Sequence, residues 1–414
     1  MPARSHAPAP VRILTAVPLC DGHDSAVTTI NLELARHGIE VIYLGYHQPV
    51  SSIVRAAVQE DVNVVGLSSY NGGHLVFFKE VVDQLRQRGG GDIPVFGGGG
   101  GTITPADERV MKRQGTDRIF FAGTPLADIM ATIKRDYARP PKPNARVTGD
   151  RALARAITLA EGVGGALRPD SNAARRTNKS GRKTPPTARN TFVLGVAGPG
   201  GAGKSTLIDE LVSRFLRRCP GGRIAILAND PSHPDSGGAI LGDRVSAIYA
   251  QDDRVFFRSL ATRGSLTGLS AAAPAAIEIL RRSREFDLVL VESVGVGQES
   301  DPFRTFGRGP HLVDATLFVL PPHYGGRIQL QKIALLAGAD FVALNKCDHP
   351  MAHTARAEIQ ARLDQDGKGR RLHATTAARH FDPGVDALFD ALAQRAGLAL
   401  STGGDKACWM EVTP

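Results

Sequence analysis

Short, almost wholly apolar runs alternate along this chain with longer stretches in which apolar residues recur every three or four positions. The short runs read as β-strands buried on both faces, the longer ones as helices that cover them. In the first block the strands are VRILTAV (11–17), EVIYLG (40–45), VNVVGLS (62–68), IPVFG (93–97) and RIFFAG (118–123). Helical periodicity occupies 25–37, 50–60, 74–88 and 105–114 between them. Together they predict a flavodoxin-like, doubly wound parallel sheet over 11–136, with strand order 2-1-3-4-5.

The pattern stops at PPKP (140–143). One helix-like stretch, GDRALARAITLAEGV (149–163), is followed by a Ser/Asn/Pro tract too polar to bury. Residues 137–190 therefore read as a linker with one helix and a basic, disordered tract. Alternation resumes with FVLGVAG (192–198), RIAILAN (223–229), DLVLVES (287–293), ATLFVLP (315–321), FVALNK (341–346) and RLHAT (371–375). Helices are clearest at 204–217, 266–283 and 384–396. The fold class is thus α/β, with a second doubly wound parallel-sheet domain over 191–400 and a tail, 401–414, without element signal.

Charge and cysteine content narrow the function. The formal net charge is +9. Most of the excess sits in the linker tract, where Arg168, Arg175, Arg176, Lys179, Arg182, Lys183 and Arg189 face one acid, Asp170. A basic excess confined to a short polar tract does not mark a nucleic-acid-binding fold, and no nucleic-acid partner is expected. Cys20, Cys219, Cys347 and Cys408 show no paired spacing. That excludes a disulfide framework or thiolate zinc site and fits a reducing compartment. No apolar run is long enough to span a membrane, and no apolar signal core precedes the first strand. The expectation is a soluble, cytoplasmic protein with no membrane partner.

Gly198-Pro-Gly200-Gly201-Ala202-Gly203-Lys204-Ser205, followed by Thr206, leaves a buried strand and opens a helix. It matches GxxxxGK[ST] in the context that motif requires, a P-loop. Backbone N–H groups freed by the glycines would curl around phosphate oxygens, and the helix N-terminus would add positive potential. Lys204 would reach the β- and γ-phosphates, and the Ser205 hydroxyl would coordinate Mg2+. Asn345-Lys346-Cys347-Asp348 ends another buried strand. A carboxylate there can accept both N1–H and N2–H₂ of guanine, donors that adenine lacks, so the nucleotide is read as GTP. Thr375, in Thr375-Thr376-Ala377, is a candidate backbone contact to the base. Asp230, Asp243 and Glu292 are candidate metal-side acids, because Mg2+ wants hard oxygen ligands. Surface or capping roles are the plain alternative for each. Gln298 is a candidate for orienting a water.

In the first block, Asp21-Gly22-His23 follows the first strand and Ser68-Ser69 the third. The carboxyl ends of those two strands flank the crevice where such sheets bind ligands. The glycine run 97–101, with Gly97 and Gly98 at its start, would let backbone lie against a large planar ligand. Asp21 can accept the Nδ1–H of His23 and leave Nε2 as a metal ligand. One His with one Asp is poor for zinc but suits a metal already held in a macrocycle. A loop histidine beside a helix-capping aspartate is the alternative.

DGH (21–23), SSYNGGH (68–74) and VFGGGGG (95–101) resemble the cobalamin-binding domain of adenosylcobalamin-dependent acyl-CoA mutases. GPGGAGKST (198–206), NDPS (229–232), SGGAILGDR (236–244), RSLATRG (258–264) and NKCD (345–348) resemble the GTPase chaperone of those mutases. The two in this order look like the N-terminal part of the fused isobutyryl-CoA mutases. The resemblance implies adenosylcobalamin, GTP and Mg2+ as cofactors. It implies that His23 is the lower axial cobalt ligand, that Asp21 bonds His23, and that Ser68 contacts the displaced base of the cofactor. Lys204, Ser205, Asp230, Asp243 and Glu292 would hold Mg-GTP. Ala26 stands where the mutase pattern has Gly, and Tyr70 where it has Leu. The stretch 299–311, with Arg304 and Arg308, does not match the family's switch segment.

An acyl-CoA-binding (β/α)₈ barrel takes roughly 250 residues, far more than follow the second domain here. The expectation is therefore a cobalamin-binding, GTP-hydrolysing component of an acyl-CoA mutase. It would work with a separate barrel subunit and form a homo-oligomer through the GTPase domain. The rival readings are a GTPase metallochaperone that delivers cobalamin to another mutase, and a truncated fused mutase with GTPase activity only.

Overall fold

The computed structural model describes residues 11–18, 25–69, 72–99, 101–138, 149–162, 190–265, 267–295, 301–303, 311–324 and 334–401. Asp21, His23, Tyr70, Gln298, Arg304, Arg308, the basic tract and the tail beyond Ser401 lie outside them.

The first block folds as β1 (Arg12–Ala16), α1 (Ser25–Arg36), β2 (Glu40–Tyr43), α2 (Val50–Gln59), β3 (Val64–Ser68), α3 (His74–Gln87), β4 (Val95–Gly98), α4 (Pro105–Gln114), β5 (Arg118–Phe120) and α5 (Leu126–Asp136). Its strands are parallel and follow the predicted 2-1-3-4-5 order. Apolar side chains pack on both faces, for instance Leu14, Val65 and Phe78 on one and Ile13, Val64 and Ile133 on the other. That is the two-sided burial expected of strands whose apolar runs do not alternate. The sequence reading passes over α5. Its buried stripe is only Ile129, Met130 and Ile133, flanked by Asp128 and by Lys134, Arg135 and Asp136.

Helix α6 (Asp150–Gly162) comes next in the chain. The second block continues as β6 (Phe192–Ala197), α7 (Lys204–Arg218), β7 (Ile224–Asp230), β8 (Ala239–Leu241), the helical turn α8 (Asp243–Ser246), β9 (Val255–Ala261), α9 (Ala273–Ser283), β10 (Leu288–Glu292), β11 (Ala315–Leu320), α10 (Ala334–Gly338), β12 (Phe341–Leu344), α11 (Ala352–Gln365), β13 (Leu372–Ala374) and α12 (Pro383–Ala396). Seven of these strands form a parallel sheet in the order β13-β12-β11-β6-β10-β7-β9. The predicted strands are present, and β9 and β8 are additions. VFFRSLA carries Arg258 and Ser259 inside an apolar run, so the sequence pattern alone does not read as a buried strand.

β8 is the unexpected element. It does not join its own block's sheet. It pairs in parallel with β2, Glu40 opposite Ala239 and Ile42 opposite Leu241, and becomes the sixth strand of the first sheet. Ala239, Leu241 and Ala261 enter the first block's core.

The two blocks meet across a seam of buried charge. Arg12, fully buried on β1, donates to Glu40 at 2.6 Å, to Glu60 at 2.7 Å and to the Ser259 carbonyl at 3.0 Å. Arg258, also fully buried, donates to the Glu60 carbonyl, to Thr158 at 2.8 Å and to Glu161 at 2.7 Å. Both Ser259 groups, N–H and hydroxyl, donate to the Glu60 carboxylate at 3.1 Å. Arg263 closes the row on Glu40 at 2.5 Å. Helix α6 spans the seam: Arg155 pairs with Asp61 at 2.7 Å on one side while Glu161 holds Arg258 on the other. Burial pushes the Glu161 carboxyl up, against the pull of Arg258 and Arg12.

Buried charges are tolerated only when fully paired, and removing one partner strands the others. Arg258→Ala should therefore cost about 3–5 kcal/mol in urea unfolding of the full chain. Pairing Arg258→Met with Glu161→Leu should recover a substantial part of that loss. A loss below about 1 kcal/mol for Arg258→Ala, the range of exposed pairs, would show the seam to be solvated.

Candidate functional site

In the second sheet the loops that follow β6, β7, β10, β12 and β13 emerge at one edge, because all its strands run the same way. The P-loop follows β6 and opens α7. Gly203 caps that helix in the left-handed region, at φ 85°, and a Cβ there would run into the Asn345 amide. Lys204 is buried, with its ammonium donating to the carbonyls of Gly198 at 3.1 Å and Pro199 at 3.3 Å. Burial pulls its pKa down while Glu292 and Asp243 hold it up. The ammonium is thus stored against the loop that would bend around phosphate. Thr206 is exposed on the first turn of α7.

The candidate metal-side acids come together beside it. Ser205 Oγ donates to Glu292 Oε1 at 2.8 Å. Ser205, Asp209, Asp243 and Glu292 line one pocket. Burial and then the charge of Asp243 push Glu292 up to about 7. Asp230 rises through burial and then through repulsion from Asp243 and Glu292. Its Oδ2 is buried without a hydrogen-bond partner. Oxygen-only donors, mutual repulsion and an orphaned carboxylate oxygen are what a hard cation would relieve. Among the described residues no three His, Cys, Asp or Glu side chains form a metal cage by themselves. Mg2+ does not require one, since it keeps waters and takes phosphate oxygens. Ser205 with these carboxylates fits it.

Asn229, next to Asp230, fixes the strand ends. Its amide donates to the Glu292 carbonyl at 2.8 Å and accepts from the Ser270 N–H at 2.8 Å. On the other side of β6, Asn345 donates to the Ala202 carbonyl at 3.0 Å and accepts from Thr375 Oγ1 at 3.1 Å and the Ala377 N–H at 3.0 Å. Asn345 therefore ties β12 to the P-loop. Lys346 and Asp348 are exposed beside it, with Lys346 at φ 62°. Thr375 is wholly buried and its N–H is spent on the Leu344 carbonyl. What it offers the site is orientation of Asn345. Gly200 and Gly201 are exposed on the loop.

In the first sheet the carboxyl ends of β1 and β3 lie side by side. Ser68 is half-buried at the end of β3, opposite Gly98 of β4. The described glycines of the run also serve packing. A Cβ on Gly97 would strike the Phe78 ring, one on Gly98 would press on the Phe120 carbonyl at 3.1 Å, and one on Gly99 would meet the Ser69 carbonyl. These glycines let β4, β3 and α3 approach closely. Of the described members, Gly101 faces open space.

Sequence reasoning missed the seam residues Gln59, Glu60, Arg244 and Arg258. Nothing in the order of residues says which buried acid pairs with which arginine. The one available signal was the presence of charged residues inside the motifs SGGAILGDR and RSLATRG. In the fold these motifs grip the first block.

A family model for the methylmalonyl-CoA mutase-associated GTPase MeaB matches residues 153–408. A B12-binding-domain model matches residues 11–129. Fused isobutyryl-CoA mutase of Cupriavidus metallidurans is 38% identical over 402 residues, covering 92% of this chain and 35% of that protein. The fused isobutyryl-CoA mutase of Geobacillus kaustophilus is 37% identical over 405 residues, covering 92% and 36%. A putative GTPase of Pyrococcus abyssi is 38% identical over 228 residues, covering 54% and 64%. The chain thus spans about a third of the length of the fused mutases it matches. It belongs to the methylmalonyl-CoA mutase-associated GTPase (MeaB) family and carries that GTPase behind a B12-binding domain.

Proposed function

We propose that this protein is the cobalamin-binding, GTP-hydrolysing component of an adenosylcobalamin-dependent acyl-CoA mutase and acts with a substrate-binding barrel subunit. The observation that carries this reading is the order of a B12-binding domain and a MeaB-type GTPase, aligned along 92% of the chain with fused isobutyryl-CoA mutases. The chemistry of the residues supports it. The P-loop N–H groups and Lys204 bind and neutralise the triphosphate. Ser205, Asp230, Asp243 and Glu292 would hold Mg2+ there, which would supply positive charge to offset the charge that develops on the transferred phosphoryl group. Asp348, exposed on the loop that leaves β12, reads the guanine edge. Gln298 orients the attacking water. In the first domain His23, with Asp21 to orient it, would supply the protein's ligand to the cobalt, and Ser68, at the end of β3, would contact the cofactor's nucleotide base. Adenosylcobalamin supplies the carbon-skeleton chemistry once a barrel encloses it. The homo-oligomer forms through the GTPase domain, in the cytoplasm.

Three results are expected. Lys204→Ala abolishes GTP turnover, measured as phosphate release; unchanged turnover would remove the P-loop assignment. GTP outcompetes ATP for the purified chain, and Asp348→Ala lowers GTP affinity about ten- to a hundredfold by deleting two hydrogen bonds to a charged acceptor. Equal hydrolysis of both nucleotides would discredit the base assignment. Titration with adenosylcobalamin shifts its absorption to the form in which protein imidazole replaces the cofactor's own base, and His23→Ala prevents that shift. An identical spectrum in both proteins would sink the cobalt assignment.

A further inference from the structure

The fold joins the metal-side acid Asp243 to the first domain through a short rigid path. β8 ends at Leu241, two residues before Asp243, and its backbone is paired along β2. The loop that leads into it is seated on the same domain. Ser236 Oγ donates to the Ala35 carbonyl at 2.7 Å, and a Cβ on Gly238 would run into that carbonyl. The residue after Asp243 is held as well. Arg244 is buried, and its guanidinium donates to Gln59 Oε1 at 2.7 Å and to the Phe257 carbonyl at 3.0 Å, with the Glu60 carboxylate at 3.5 Å. Its cation also sits over the Phe257 ring, 5.2 Å from the centroid. Gln59 is itself fixed, donating to the Val255 carbonyl at 2.8 Å and to Asp150 at 2.9 Å.

We propose that Arg244, clamped by Gln59 and Glu60 of the B12-binding domain, is a positioning residue for the nucleotide-bound Mg2+, so that docking of the first domain sets where Asp243 stands. The proposal rests on the reading of Asp243 as a metal-side acid. Two anchors flank Asp243, strand pairing to β2 before it and the guanidinium clamp after it, in which Gln59 and Glu60 of the other domain share Arg244 with Phe257 of its own. A carboxylate held at both ends meets the cation without reorganising. Once the clamp is released, the residue keeps its chemistry but loses its position. Asn345 and Asp348 lie on the opposite side of β6 and do not share these anchors. The consequence is therefore confined to the metal and leaves base selection alone.

The test uses the full chain and three variants, Gln59→Ala, Arg244→Ala and Arg155→Ala. The last weakens the seam through its pair with Asp61. Binding of a fluorescent GTP analogue is titrated against Mg2+, alongside GTP turnover and thermal unfolding. Gln59→Ala and Arg244→Ala are expected to raise the half-saturating Mg2+ about tenfold and to keep the preference for GTP over ATP. Their combination should give little more than either alone, since both open one clamp. Arg155→Ala should lower thermal stability without moving the Mg2+ requirement. Gln59→Ala deletes only an amide and keeps the proposal testable if Arg244→Ala does not fold. An unchanged Mg2+ requirement in folded Gln59→Ala would overturn the proposal, as would an equal shift in Arg155→Ala. If nucleotide binding in the unaltered chain ignores Mg2+, the metal-site reading itself fails, a result distinct from either of these.

Discussion

The structure depends on the pairing of Arg12, Arg258 and Arg263 with Glu40, Glu60 and Glu161 where the two sheets meet. Each side contributes charges that would be prohibitively costly to bury alone. Arg12 and Glu60 come from the first block, Arg258 and Ser259 from β9, and Glu161 from the helix between them. The ion pairs and hydrogen bonds among them fix the relative placement of the blocks more sharply than apolar contact would, because hydrogen bonds have direction. It also explains why β8 can leave its own block and add to the edge of the first sheet. An exposed parallel edge at β2 is covered, and the strand's apolar residues complete the core beneath it.

That arrangement has a bearing on chemistry. A GTPase whose acids stood on mobile loops would have to order them on each binding event. Here Asp230 and Glu292 end buried strands cross-braced by Asn229, and Asp243 follows a strand pinned to the neighbouring domain. Burial holds all three carboxyls above the usual carboxylate range, with repulsion adding to it at Asp230 and Glu292, so the proposed divalent cation would be favoured both by its own ligation and by the strain it removes. On the other flank of the P-loop, Asn345 is spent on holding the loop's carbonyls and is itself held by Thr375. The proposed base and phosphate sites thus share one rigid frame.

Much of this was legible in the residue order. Apolar runs without alternation gave the parallel sheets, and GxxxxGKS and NKCD pointed to a nucleotide site because their glycines, lysine and carboxylate have few other uses at strand ends. What the order could not convey falls into two kinds. β8 is three residues long and has no pattern of its own; it is a strand only because β2 offers an edge. Nothing in the motifs SGGAILGDR and RSLATRG says where their arginines lie, and only the fold shows Arg244 and Arg258 buried against Glu60 and Glu161. The glycine run after β4 adds a reason its composition did not show: Phe78 and the Ser69 carbonyl occupy the space of a side chain at Gly97 and Gly99.

The most direct test of the account is amide hydrogen exchange of the full chain, read at residues 239–241. If the seam joins the two domains into one cooperative unit, these amides are protected to the same degree as those of β1 and β2, and exchange with them. Exchange of 239–241 at the rate of an open loop, while β7 beside it in sequence stays protected, would contradict the account.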